Sequence, residues 1–294
     1  MINILVTGSN GQLASSIKGL ATKYDNLNFI YTDYQELDIT DYQKLRIFFY
    51  QSEGIDYCIN CAAYTAVDKA EEEEKLTDEI NSKGAGNLAQ VCSESNTTLI
   101  HISTDFVFDG ENNRPYDEED TTNPLNVYGK TKLDGEIKIS NSSSKYFIIR
   151  TSWLYSEHQN NFMKTMLELA KNRKELSIIS DQIGTPTYAL DLATAILNII
   201  ISKNKDYGTY HYSNEGVASW YDFAKAIFEI NNVKVTLNPI KTEAYPTPAK
   251  RPHYSVLDKT KIKSKLKLDI PYWRDSLITA LKRHNESRHS SYSN

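Results

Sequence analysis

The sequence predicts an α/β protein: a doubly wound parallel sheet joined to a smaller α/β lobe. Three observations predict it. Short apolar runs alternate with helix-periodic stretches through residues 1–150, the pattern of strands linked by helices on both faces of a sheet. The first run, Ile2 to Val6, leads straight into a glycine turn, Thr7-Gly8-Ser9-Asn10-Gly11-Gln12-Leu13-Ala14. A later run ends in Ser103-Thr104-Asp105, and the pair Tyr128 and Lys132 follows with Tyr-x-x-x-Lys spacing.

Taken in order, residues 2–6 are a strand, 12 to about 23 a helix, and 27–31 the second strand. Residues 41 to about 51 are helical, with Leu45, Phe48 and Phe49 on one stripe. A strand at 57–61, a helix at 80–93 and a strand at 97–103 come next. The helix carrying Tyr128 and Lys132 runs to about 139, and 146–150 is the fifth strand. Right-handed crossovers make such a series a doubly wound, Rossmann-type sheet. The second half is less regular, with helices at 162–174, at 189–201 and, capped by Ser219, at 220 to about 230. Pro239, Pro246, Pro248 and Pro252 punctuate an irregular stretch of the kind that often forms binding loops. A last helix spans 273–284, and the polar residues 287–294 are expected to be disordered. The domain boundary falls near residue 151, with some later elements returning to the first lobe.

Composition excludes several classes. The chain has 294 residues, 40% hydrophobic and 24% charged, as a globular protein with a core requires. A net charge of −5 argues against a nonspecific grip on nucleic acid. No apolar run of about 18 residues predicts a membrane span. The first residues lack a basic region before a long apolar stretch, so a cytoplasmic location is expected. Cys58, Cys61 and Cys92 are too few for a disulfide scaffold. Cys58 and Cys61 have C-x-x-C spacing, but positions three apart on a strand face opposite ways. No second Cys/His pair completes a zinc site. No metal is expected.

The glycine turn reads as a dinucleotide site. Gly8 permits the sharp strand-to-helix turn, and Gly11 lets the backbone approach a pyrophosphate. The amides from Asn10 through Gln12 and Leu13 then favour negative charge at the helix start. Asp33 follows the second strand, where a carboxylate can hold ribose hydroxyls, and Asp38 and Ile39 could flank the adenine. Asp33 would repel an added phosphate, yet NADH against NADPH stays open. Tyr128 and Lys132 share a helix face. A phenol of pKa about 10 is a poor neutral-pH catalyst, and a neighbouring ammonium is expected to favour the phenolate. His101 reads as a core residue. Glu71 to Glu74 and Lys259 to Lys267 read as solvated charge runs.

These residues together resemble the extended short-chain dehydrogenase/reductases, and within them the reductases of dTDP-linked 4-dehydro sugars. The matching segments run nearly end to end. They include residues 60–71, 103–108, 124–132, 150–155, 160–166, 181–187 and 249–252. The resemblance implies hydride transfer from NADPH or NADH to the C4 ketone of dTDP-4-dehydro-L-rhamnose. It implies that residues 151–294 mainly hold the sugar nucleotide. Tyr128 would donate the proton, Lys132 would bind the nicotinamide ribose, and Thr104 would hydrogen-bond the reacting oxygen. Ala62, Ala63, Tyr64 and Thr65 would line the cofactor. Val67, Asp105 and Trp153 would face the sugar, and Asn161, Gln182 and Arg251 the nucleotide. Some members dimerise through a magnesium bridged by glutamates at positions that here are Ser15 and Leu190, so a monomer or another homodimer is implied. Epimerases, other 4-keto reductases and non-catalytic regulatory subunits share the fold.

Overall fold

Alternate residues of the first strand belong to different cores. In the computed structural model, which describes residues 1–291, β1 (Ile2–Thr7) sends Ile4 and Val6 to one cluster and Leu5 to another. That is the period of two expected of a strand covered on both faces. The first half then runs α1 (Gln12–Ala21), β2 (Leu27–Tyr31), α2 (Tyr42–Gln51) and β3 (Tyr57–Asn60). Next come α3 (Val67–Ala70), α4 (Glu74–Asp78), a π-helical segment Glu79–Gly84, and α5 (Ala85–Glu94). β4 (Thr98–Thr104), α6 (Val127–Ser142) and β5 (Tyr146–Thr151) complete it. Asp41 caps α2 by accepting from the Lys44 amide at 3.0 Å.

The second half contributes β6 (Leu154–Tyr155), α7 (Phe162–Asn172), β7 (Glu175–Ile179), β8 (Ile183–Gly184), β9 (Thr187–Tyr188) and α8 (Ala189–Ile201). β10 (Gly208–His211), β11 (Ala218–Ser219) and α9 (Trp220–Ile230) come next, then β12 (Thr236–Ile240), α10 (Thr260–Leu266) and α11 (Trp273–Ser291). Ser219 and Asp222 form a reciprocal capping box at α9.

Among the described residues, six strands form one parallel sheet in the order β10-β5-β4-β3-β1-β2. The order reverses beside β1, so a crevice opens at the carboxyl ends of β1 and β3. Residues of α1, α8 and α10 join the cluster on one face, and residues of α2, α5 and α6 join that on the other. Three elements of the second half thus join this sheet or its faces: β10 pairs with β5, α8 packs beside α1, and α10 adds Ile262 and Leu266 to the same cluster. A separate core gathers α7, β7, α9 and α11.

The structure departs from the sequence pattern in several places. The helix expected at 80–93 begins earlier, at Glu74, and passes through the π segment. The irregular proline stretch starts as a strand, with Pro239 in β12. Proline is tolerated there because β12 pairs with β7 alone. The last helix continues to Ser291, because nothing after His284 breaks it. The expectation of disorder for 287–294 is therefore corrected over 287–291, and 292–294 lie outside the described residues. The lysine-rich run is the helix α10. Its leading Lys259 is buried against Glu215 at 3.7 Å rather than solvated.

Candidate active site

The crevice at the switch point is a cavity of about 830 Å³. The glycine turn forms its floor on one side. Gly8 has φ +64°, and a Cβ there would come within 2.6 Å of the Ala62 nitrogen, so only glycine allows this turn to seat on the chain leaving β3. Gly11 is the N-cap of α1 and supplies no side-chain acceptor, so the first amides of the helix have no side-chain cap. Asn10, Gln12 and Leu13 line the cavity beside them.

Asp33, Asp38 and Ile39 stand at the same end. The Asp33 carboxylate already accepts from the amides of Asn10 (2.8 Å) and Tyr34 (2.7 Å), which locks the glycine turn to the loop after β2. Asp38 turns its own loop through Thr40. Ala62, Ala63, Thr65 and Val67 form the wall beyond β3.

Chain from the second half closes the cavity. Gln12 Oε1 accepts from Ser156 Oγ and from Asn161 Nδ2, each at 2.9 Å, and Gln159 donates to the Asn10 carbonyl at 2.8 Å. Asn161 also caps α7. Trp153, at φ +47°, lies flat on Trp220 with ring centroids 3.7 Å apart. Gly184 is its seat, since a Cβ there would meet the indole at 2.8 Å. Trp220 and Gln159 carry no motif, and sequence reasoning missed them; Gly184 lies in the matching segment 181–187 but is given no role there.

Thr104, Asp105, Tyr128 and Lys132 converge on the opposite wall. Helix α6 brings the last two there because it approaches its neighbours closely. A Cβ at Gly129 would lie 2.2 Å from the Phe106 carbonyl oxygen, and one at Gly135 would lie 2.3 Å from that of Asn81. Asn126 caps α6 through the Gly129 amide at 2.8 Å. Glu71 accepts from the Val127 amide at 2.8 Å, so the acidic run is more than a solvated face. Tyr128 packs edge-on against Phe106.

Electrostatics corrects one expectation. Burial pushes the Tyr128 phenol up to about 12, opposed by a hydrogen bond with Thr104. Lys132 does not pull it down. Its Nζ donates to the Ile102 carbonyl at 2.6 Å and lies 3.2 Å from His101 Nε2. Burial also takes Lys132 down to about 8. Desolvation outweighs the ammonium's attraction for a phenolate, so Tyr128 stays a phenol at neutral pH. Burial raises Asp105 to about 6, against hydrogen bonds from Ser255 and Thr104. Its Oδ2 has no hydrogen-bond partner among the described residues.

Three expected contacts lie off the cavity wall. The Tyr64 phenol donates to Glu73, and its amide donates to Asn81 at 2.8 Å. Gln182 is buried and donates to Thr242 at 3.2 Å. Arg251 forms a two-pronged ion pair with Asp68 at 2.9 and 2.8 Å. Each polar group has a nearer partner, and a guanidinium fork matches a carboxylate well.

Behind the wall, Arg150 on β5 grips Glu136 on α6 at 2.7, 3.0 and 3.1 Å, and Ser103 donates to the same carboxylate. This pair is buried and ties the Tyr128–Lys132 helix to the sheet. Among the described residues, no cluster of three His, Cys, Asp or Glu side chains could hold a metal ion. No helix there is long and apolar enough to cross a membrane.

A glycine turn at a doubly wound switch point, facing Thr104, Tyr128 and Lys132 across one cavity, defines a nicotinamide-dependent oxidoreductase of the extended short-chain type. Comparison with known proteins narrows the class. The family model for the RmlD substrate binding domain matches residues 2–286. A dTDP-4-dehydrorhamnose reductase of Aggregatibacter actinomycetemcomitans is 41% identical, over 94% of this chain and 97% of that one. A crystal structure of such a reductase from Clostridium acetobutylicum superposes with TM-score 0.92 at 43% identity, over 96% of this chain and 99% of that one. One from Bacillus anthracis, in complex with NADP, gives 0.91 at 39%, over 96% and 100%. The chain belongs to the dTDP-4-dehydrorhamnose reductase family.

Proposed function

We propose that this chain reduces the C4 ketone of dTDP-4-dehydro-L-rhamnose to give dTDP-L-rhamnose, using NADPH or NADH. The observation that carries the reading is the convergence of Thr104, Tyr128 and Lys132 with the glycine turn in one cavity. The residues fit a dinucleotide. The uncapped start of α1 suits a diphosphate, and a side chain at Gly8 would block the turn. Bound there, the reduced cofactor supplies the hydride.

The chain's own residues do the rest. Thr104 and Tyr128 line the same wall of the cavity, and the Thr104 hydroxyl is near enough to oppose the rise of the Tyr128 phenol. A ketone oxygen held there gains negative charge as it is reduced. Thr104 steadies that charge, and Tyr128 gives up its proton. The raised affinity of the phenol suits this direction: the acid is fully loaded at neutral pH, and a nascent alkoxide is more basic still. Val67, the unpartnered Asp105 oxygen and the Trp153 face hold the sugar. Asn161 is the nucleotide contact this reading keeps, since Gln182 and Arg251 are committed elsewhere. The protein acts in the cytoplasm as a monomer or homodimer.

The test is the purified protein with each cofactor and the 4-keto sugar nucleotide. Loss of reduced-cofactor absorbance should accompany formation of the 6-deoxy-L-mannose product, identified by NMR. No cofactor oxidation, or an epimerised ketone as product, would refute the assignment.

A further inference from the structure

Behind Lys132 runs a buried chain of polar groups that the mechanism above leaves unused. It passes from Thr7 and Ala62 through Asn60 to His101. The backbone N–H of Ala62 can only donate, and it meets Asn60 Oδ1 at 3.1 Å. Thr7 Oγ1 donates to the same oxygen at 2.8 Å. The Asn60 amide is therefore fixed with its NH₂ group toward His101 Nδ1, 2.9 Å away. Nδ1 must accept, so a neutral His101 carries its proton on Nε2. That nitrogen faces Lys132 Nζ at 3.2 Å.

An ammonium has three donors and no acceptor. It cannot receive the Nε2 proton. A free amine can, while still donating to the Ile102 carbonyl at 2.6 Å. For a charged Lys132 to keep a hydrogen bond with His101, His101 must move its proton to Nδ1, against the Asn60 NH₂, or Asn60 must turn its oxygen from Ala62. Either leaves two donors opposed in a site where Asn60, His101 and Lys132 are all buried.

We propose that Asn60 and His101 are positioning residues that fix the imidazole tautomer beside Lys132 and thereby favour its uncharged amine. Only the consequence for turnover rests on the reductase reading: Lys132 lines the cavity, so the pH at which it loses its charge sets the alkaline limb of activity.

The other titratable neighbours are accounted for. Glu136, on the same helix, is paired to Arg150. The Cys61 thiol, beyond β3, is pushed up to about 12 by burial and is uncharged. Burial and Lys132 hold His101 well below the usual imidazole range. Tyr128 stays a phenol. The downward displacement of Lys132 to about 8 has the same sign as the hydrogen-bond argument.

Cofactor-free protein with isotope-labelled histidine and lysine tests this by NMR, with Lys132 assigned from a Lys132→Arg variant. The expected result is an Nε2–H tautomer for His101 with no imidazolium at neutral pH, and a Lys132 midpoint near the value of about 8 given above. In His101→Gln the amide oxygen can turn to the ammonium. The Lys132 midpoint should then rise by roughly one pH unit or more, tenfold in proton affinity. The alkaline limb of kcat/KM should move with it, while KM for the sugar nucleotide holds. An Nδ1–H tautomer, a Lys132 midpoint at the free-lysine value, or an unmoved midpoint in His101→Gln would overturn the proposal. If His101→Gln does not fold, the two wild-type titrations decide alone. None of the NMR readouts needs turnover, so a failed reductase assay is separately visible.

Discussion

Gly129→Ala sets two opposite expectations against each other. Helix propensity alone favours alanine by about 1 kcal/mol in a helix interior. The contact at this position opposes it. The added Cβ would sit 2.2 Å from the Phe106 carbonyl oxygen and 3.0 Å from its carbon. An ordinary carbon–oxygen contact is about 3.3 Å, so α6 must retreat by roughly 1 Å. The obstacle is backbone and cannot rotate aside. Overpacking of this kind costs about 1–3 kcal/mol, and the obstacle places it in the upper part of that range. The net expectation is a loss of about 1–2 kcal/mol after the propensity gain. The neighbouring Tyr128 moves with the helix. A misplacement of about 1 Å in a reacting group can cost on the order of 10² in rate.

Gly19 is the internal control. It lies exposed in α1, with nothing within 4 Å of its added Cβ. Gly19→Ala should gain about 0.5–1 kcal/mol and leave turnover alone. Urea denaturation and steady-state kinetics of both variants decide the matter. If Gly129→Ala is stabilised like Gly19→Ala and keeps wild-type kcat, the close seat of α6 on the turn after β4 is wrong.

Three further outcomes are expected. Tyr128→Phe keeps the edge contact with Phe106 but should lower turnover by about 10² or more; fluorescence titration should find cofactor binding unchanged, and normal turnover would remove Tyr128 from the chemistry. Asp105 keeps its proton more tightly folded, at about 6 against 3.8, so its stability contribution is full below the lower value and lost as pH rises through the upper one. Asp105→Asn should therefore be more stable than wild type above about pH 6, by on the order of 3 kcal/mol at most. That gap should close below about pH 4, and a gap independent of pH in urea midpoints would contradict the buried carboxyl. Arg150→Met should cost about 3–5 kcal/mol by stranding Glu136, whereas Arg150→Met with Glu136→Leu should recover most of it; equal losses in the single and double variants, read by denaturation, would show that the pair does not act as a unit.

The regular part of the fold was legible because buried parallel strands read as predominantly apolar runs. Ile2–Thr7, Leu27–Tyr31 and Tyr146–Thr151 are such runs, each with only one or two polar residues. The sixth strand was not. Gly208–His211 is four residues long, half of them polar, and is a strand because β5 offers it an edge. The short pairs β6–β9 and β8–β11 are two residues each and carry no periodicity at all. The site divides in the same way. The glycine turn and the Tyr128–Lys132 spacing are local, and both face the cavity. Arg251 and Tyr64 show the limit of local reading, because their partners, Asp68 and Glu73, are set by the folded chain and hold both side chains off the cavity wall.

The sequence by itself determined the alternation of elements, the turn that suits a diphosphate, and the helix face that Tyr128 and Lys132 share, because each depends on neighbours within a few residues. Only tertiary structure decided where the Lys132 amine points and how tightly Tyr128 keeps its proton. Those follow from burial and from groups such as Ile102 and His101, brought up by a different strand, and no spacing along the chain encodes the dielectric or the hydrogen bonds they impose.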